Sequence, residues 1–225
     1  MTPEKKVLFV KIGLGLIVAS MLVGYTYVWV QWVDLEAARE SALILNNYYR
    51  ARHGSAPLTR NADLDMIAQM CALYYRDYVP GGSIDHSCPY WRSGYNFYFS
   101  EGIGECGGGS PTGSPEHLWT NIEIGEGNTW MLYKEIYNYN FSNFKTDLET
   151  HPRTVLHFTQ VVWRESKYFG LGMTTYRSKK GIGMVATLFY YPSGNLITDD
   201  WAHFLMNVRP VLKDAPALEG WKKQY

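Results

Sequence analysis

The sequence predicts an α+β domain carried behind an N-terminal membrane helix, and three observations support this. Segments of helical period come early in the chain, two strand-like runs come late, and an uncharged apolar stretch precedes both. Helices and strands grouped in this way, rather than alternating, indicate segregated elements and not βαβ units. With 46% hydrophobic and 19% charged residues in 225, there is enough apolar material for one substantial core. Twenty-one basic residues balance twenty-one acidic ones, so no net field favours nucleic acid as a partner.

The span from Ile12 to Val30 carries no charge and follows Lys5, Lys6 and Lys11. At about 1.5 Å per residue it matches the ~30 Å core of a bilayer. It ends in Tyr25, Tyr27, Trp29 and Trp32, an aromatic belt, rather than in a small-residue cleavage site, which favours a retained signal anchor over a cleaved signal peptide. Lysines before the span, with Asp34, Glu36 and Glu40 after it, predict a cytoplasmic N-terminus and a lumenal or extracellular domain. The expected organisation is a tip and anchor over 1–33, a domain over 34–212 and a tail over 213–225.

Within the domain, Leu35, Ala38, Ala42, Leu45 and Tyr49 recur at three- and four-residue steps, predicting a helix from Asp34 to Arg52 that stops at Gly54. A second helix is expected over 63–78, capped by Asn61 or Asp63 and ended by Pro80-Gly81-Gly82. From Ser83 to Asn128 the chain is rich in Gly, Ser, Pro and aromatics, and Gly107-Gly108-Gly109-Ser110-Pro111 reads as a breaker, so loop with short strands is expected. A third helix should carry Trp130, Tyr133, Ile136 and Tyr137, and a short fourth should hold His157 to Trp163. Strands over 169–175 and 184–191 flank a basic turn at Ser178-Lys179-Lys180-Gly181. Of three cysteines, Cys71 falls on an apolar helix face, while Cys88 and Cys106 flank one loop and could pair in an oxidising compartment. Asn140-Phe141-Ser142 is a glycosylation acceptor sequence suited to the same compartment.

The segment His157-Phe158-Thr159-Gln160-Val161-Val162-Trp163, with Gly170-Leu171-Gly172 after it, sets a titratable imidazole at the head of a run built for burial. It resembles the H-F-T-x-x-x-W signature of the CAP superfamily, the cysteine-rich secretory, antigen 5 and pathogenesis-related 1 proteins. Asn47, Arg50, His53 and Gly54 resemble that family's H-N-x-x-R-x-x-H-G helix, with Asn46 in place of the leading His. Tyr133 to Phe141 resembles W-Y-x-E-I-x-x-Y-x-F with Leu132 replacing Trp, and Tyr190 to Leu196 resembles Y-x-P-x-G-N with Leu188 where a Cys is usual. With only three cysteines and Leu188 in place of the usual Cys, the chain looks similar to the Golgi-associated plant pathogenesis-related type, which has a bare CAP domain.

The resemblance implies a three-layer α-β-α sandwich in which two His and two Glu converge on a cleft able to hold Zn²⁺ or another divalent metal. Carried over by position, these are His86, His157, Glu135 and, through a degraded G-E-N motif, Glu101 rather than Glu105. It also implies an apolar groove for sterol or fatty acid, here an aromatic loop with Tyr90, Trp91, Tyr95, Phe97 and Phe99. The expected function is non-catalytic binding of lipid or of a protein partner. The alternatives are an accessory subunit of a membrane protein complex and a metal-dependent hydrolase.

Overall fold

The computed structural model describes residues 34–90, 104–112, 121–150, 155–178, 181–198, 200–215 and 218. The expected membrane anchor at 12–30 lies outside them. Among the described residues no helix is long and apolar enough to cross a membrane.

Helix α1 (Leu35–Arg52) starts where Asp34 accepts the amides of Glu36 and Ala37, and it ends at Gly54, whose φ of 67° is left-handed. After the short strand β1 (Thr59–Arg60), Asn61 caps α2 (Ala62–Tyr78) by accepting from Asp63 and Leu64. A 3₁₀ turn at Pro80–Gly82 ends that segment. The chain continues as β2 (Gly104–Thr112), α3 (Asn121–Tyr133) with a 3₁₀ extension (Lys134–Asn138), α4 (Phe144–Thr150), α5 (Leu156–Val162), β3 (Tyr168–Ser178), β4 (Gly181–Tyr191) and α6 (Ala202–Asn207).

The strands form one sheet in the order β1-β3-β4-β2, parallel between β1 and β3 and antiparallel elsewhere. Alternate residues of a strand face opposite sides, and here each side has its own core. Val185 and Phe189 of β4 pack with Leu64, Ile67, Ala68, Cys71 and Tyr75 of α2. Met184, Ala186, Leu188 and Tyr190 pack instead with residues of α1, α3 and α5, including Tyr49, Tyr133 and Phe158, and with Trp163 just after α5. The sheet is thus sandwiched between α2 and a layer of α1, α3 and α5.

The close seat of α2 on the sheet depends on Gly172, where an added Cβ would lie 2.1 Å from the Ala68 carbonyl carbon. Thr187 on β4 donates to the Ala68 carbonyl at 2.7 Å, so the same turn of α2 is also fastened by a hydrogen bond. At the leading end of α1, Arg39 and Arg60 both contact Glu36 and the buried Asp65, and Arg39 Nε donates to the Leu171 carbonyl at 2.8 Å. Hydrogen bonds from Arg60 and then Arg39 pull the Glu36 carboxyl down to about 2.

Three expectations are corrected. Gly107-Gly108-Gly109-Ser110-Pro111 is not a break but the middle of β2, with Gly107 opposite Thr187 and Pro111 opposite Gly183. β2 lies at an edge of the sheet, where glycine and a residue without an N–H are tolerated. Helix α3 begins at Asn121, well before Trp130, and its Gly125 serves helix contact rather than chain reversal: a Cβ there would lie 2.2 Å from the Ala38 carbonyl oxygen. Finally, Cys88 bonds to Cys71 and not to Cys106, since its segment returns to α2 and brings the two Cα atoms within 5.5 Å.

Gly172→Ala should destabilise the domain by about 1–3 kcal/mol or more, because the new methyl meets backbone that cannot yield. Thermal unfolding of wild type and variant will measure the loss.

Candidate functional site

Helix α5 bears His157 and is held at both ends. At its C-terminal end, the buried guanidinium of Arg50 on α1 donates to four carbonyls: Ala56 at 2.8 Å, Val161 at 3.0 Å, Trp163 at 2.7 Å and Ser166 at 2.9 Å. Three of these lie at or just beyond the end of α5, where helix carbonyls lack partners of their own. Burial draws the Arg50 pKa down to about 10, so it stays charged at neutral pH. Ser55 adds a bond to the Val162 carbonyl at 2.7 Å.

The N-terminal end has no side-chain cap of its own at Val155. Glu135, from the 3₁₀ extension of α3, supplies one: its Oε2 accepts the amides of His157 at 3.0 Å and Phe158 at 3.3 Å. Its Oε1 lies 2.8 Å from His157 Nδ1. A carboxylate only accepts, so the proton of the neutral ring sits on Nδ1 and the lone pair on Nε2. No described residue engages that Nε2, and the His157 side chain is 32% exposed against 14% for Glu135. The pair therefore presents one oriented acceptor at the surface.

The Y-x-P-x-G-N segment closes around the same helix. Asn195 Nδ2 donates to the Leu156 carbonyl at 2.8 Å, and Thr159 donates to Asn195 Oδ1 at 2.6 Å. Gln160 accepts the Gly194 amide at 2.6 Å and donates to Ser166, which donates in turn to the Pro192 carbonyl. Beyond Asn195 the chain leaves Leu196 and Ile197 48% and 54% exposed. Two exposed apolar residues thus follow directly on the one bonded to the first turn of α5.

The residues of the first-helix motif turn inward. Asn46 donates to the Ala42 carbonyl and to Thr129, and it accepts from the Tyr190 hydroxyl at 2.8 Å. Asn47 exchanges two bonds with the Leu58 backbone. His53 is buried; its Nδ1 donates to the Arg209 carbonyl at 2.6 Å, which leaves Nε2 to accept from the Tyr133 hydroxyl at 2.9 Å. Burial pulls the His53 pKa down to about 4.

The structure thus brings Glu135 and His157 together, but not the whole expected group. His86 is exposed, with a φ of 62°, on the segment that Cys88 fastens to α2, and among the described residues it does not gather with His157 and Glu135 into one group. Glu101 lies outside the described residues, as do Trp91, Tyr95, Phe97 and Phe99. Glu105 is placed by its backbone, opposite Phe189 in the sheet. Tyr90 packs edge-on against Tyr74 with ring centroids 6.4 Å apart. Sequence reasoning missed Arg50 and Asn195 as the supports of His157. Both stand inside motifs quoted above, and a buried arginine signals itself only through its carbonyl partners.

Zinc takes three or four N, O or S donors. Among the described residues no three His, Cys, Asp or Glu side chains gather to hold an ion. His157 Nε2 is one donor and Glu135 is spent on α5, so the described residues do not fit a zinc centre.

The sequence model of the cysteine-rich secretory protein family, CAP, matches residues 43–191. No curated protein matches the chain in sequence. Among solved structures, BmVAL-1 is similar at 21% identity over 72% of this chain and 80% of that one, with a TM-score of 0.53. NaASP2 with Zn²⁺ is 18% identical over 72% and 83%, with a TM-score of 0.48. Venom allergen-like protein 4 of Schistosoma mansoni is 19% identical over 70% and 90%, at 0.42. At such identities the likeness to BmVAL-1 is one of fold.

A histidine whose folded pKa is about 4, against about 6.5 when free, favours the native state above pH 6.5 and loses that contribution as the pH falls to 4. The loss should be on the order of 3 kcal/mol at most. Denaturant midpoints across pH 4–7 will show the decline, and the His53→Phe variant should lack this part of it.

Proposed function

The chain belongs to the cysteine-rich secretory protein (CAP) family, and on that premise we propose a membrane-anchored, non-catalytic binding domain that holds the polar head of a sterol or fatty acid at His157. The carrying observation is the division of labour in the dyad. Glu135 commits both oxygens to α5 and to Nδ1, which leaves Nε2 as an acceptor turned outward. A ligand hydroxyl or protonated carboxyl donates to that nitrogen, and the exposed Leu196 and Ile197 offer apolar contact close by.

This arrangement suits binding better than hydrolysis. A hydrolase needs a nucleophile or activated water together with stabilisation of an oxyanion, and Glu135 is occupied as a cap. The anchor over 12–30 keeps the N-terminus cytoplasmic and the domain lumenal or extracellular. The Cys71–Cys88 disulfide accords with such an oxidising compartment.

Titration of the full chain in nanodiscs with a fluorescent sterol and with a fluorescent fatty acid tests the reading. Saturable binding of one of them is expected. Replacing His157 by Phe should weaken it by roughly 2- to 10-fold, the worth of one hydrogen bond, and Ile197→Asp should weaken it as well. Absence of saturable binding to both probes contradicts the reading.

A further inference from the structure

We infer that Asn140 carries an N-linked glycan whose root stands beside the His157 surface. The chain holds one Asn-x-Ser/Thr sequence, Asn140-Phe141-Ser142, and the fold sorts its residues in the way a glycan requires. Tyr139 is buried and Phe141 half-buried, with ring centroids 5.3 Å and 6.1 Å from that of Phe158. Asn140 and Ser142, between and after them, are exposed. Asn140 Oδ1 accepts the Ser142 amide at 2.9 Å, and the Asn143 amide closes the turn on the Asn140 carbonyl at 2.9 Å. The two aromatic rings anchor the turn while the carboxamide side chain stays at its surface, so a bulky sugar is accommodated without moving the core.

The Cys71–Cys88 disulfide points independently to a compartment where such transfer takes place. The donor class is a lipid-pyrophosphate-linked oligosaccharide. Asn140 Nδ2 forms a bond to the anomeric carbon as the bond from that carbon to the phosphate oxygen breaks. The lipid pyrophosphate leaves with the electron pair, the amide loses one proton to a base of the transferase, and nothing is oxidised or reduced. Asn140 follows Glu135, which holds His157, by a few residues, and this short tether sets the glycan root near the site. The inference shares the lumenal placement proposed above and requires no ligand at His157.

The test is expression of the full chain in a eukaryotic secretory host, treatment with peptide N-glycanase and peptide mass spectrometry. The expected result is conversion of Asn140 to Asp on release, with a gel shift that is lost in Asn140→Gln and in Ser142→Ala and kept in Ser142→Thr. A second acceptor sequence appended after Tyr225 reports the compartment. If it is glycosylated while Asn140 is not, this inference is overturned and the lumenal placement stands. If neither is, both are overturned.

Discussion

Arg50 places a full positive charge where water does not reach and satisfies it entirely with backbone carbonyls, three of them at or beyond the end of α5. Each orphaned buried carbonyl costs roughly 1–3 kcal/mol, so the guanidinium, α1 and the end of α5 form one unit that can be assembled in a single way. A lysine at this position has no planar fork to divide among those oxygens. The register of α5 against α1 follows from this constraint, and the position of His157, one turn and a half back along the helix, follows from the register.

The other end of α5 converts that position into chemistry. Glu135 caps the helix and orients the imidazole with the same carboxylate, so structural support and the display of Nε2 cannot be separated by mutation of that residue alone. Asn195 and Gln160 lock the following loop onto the helix, which brings Leu196 and Ile197 to the surface beside it. A helix of seven residues would not persist alone. Its order derives from Arg50, Glu135 and Asn195, which come from three different parts of the chain.

Much of this was legible in the sequence where the signal is local. Asp34 and Asn61 announce the helices they cap, and the apolar steps of α1 and α2 mark the faces those helices bury. The motifs around His157 and Tyr190 also pointed to the residues that now meet. What was hidden depends on partners far along the chain. Glycines that look like breaks are tolerated in β2 because it is an edge strand, and in α3 Gly125 is a contact point because α1 passes within van der Waals reach. The cysteine pairing was misjudged because Cys88 returns to α2, and connectivity is set by that return rather than by loop spacing. His86 stands on the segment that Cys88 ties to α2, and among the described residues the expected group is represented by the Glu135–His157 pair.

Arg50 holds the helix that displays His157. Amide hydrogen exchange on wild type and Arg50→Lys, under conditions where both stay folded, addresses it directly. Residues 156–162 should lose protection in the variant while β3 and β4 retain theirs. Equal protection of α5 in the two proteins, or a uniform loss across helix and strands, would contradict it.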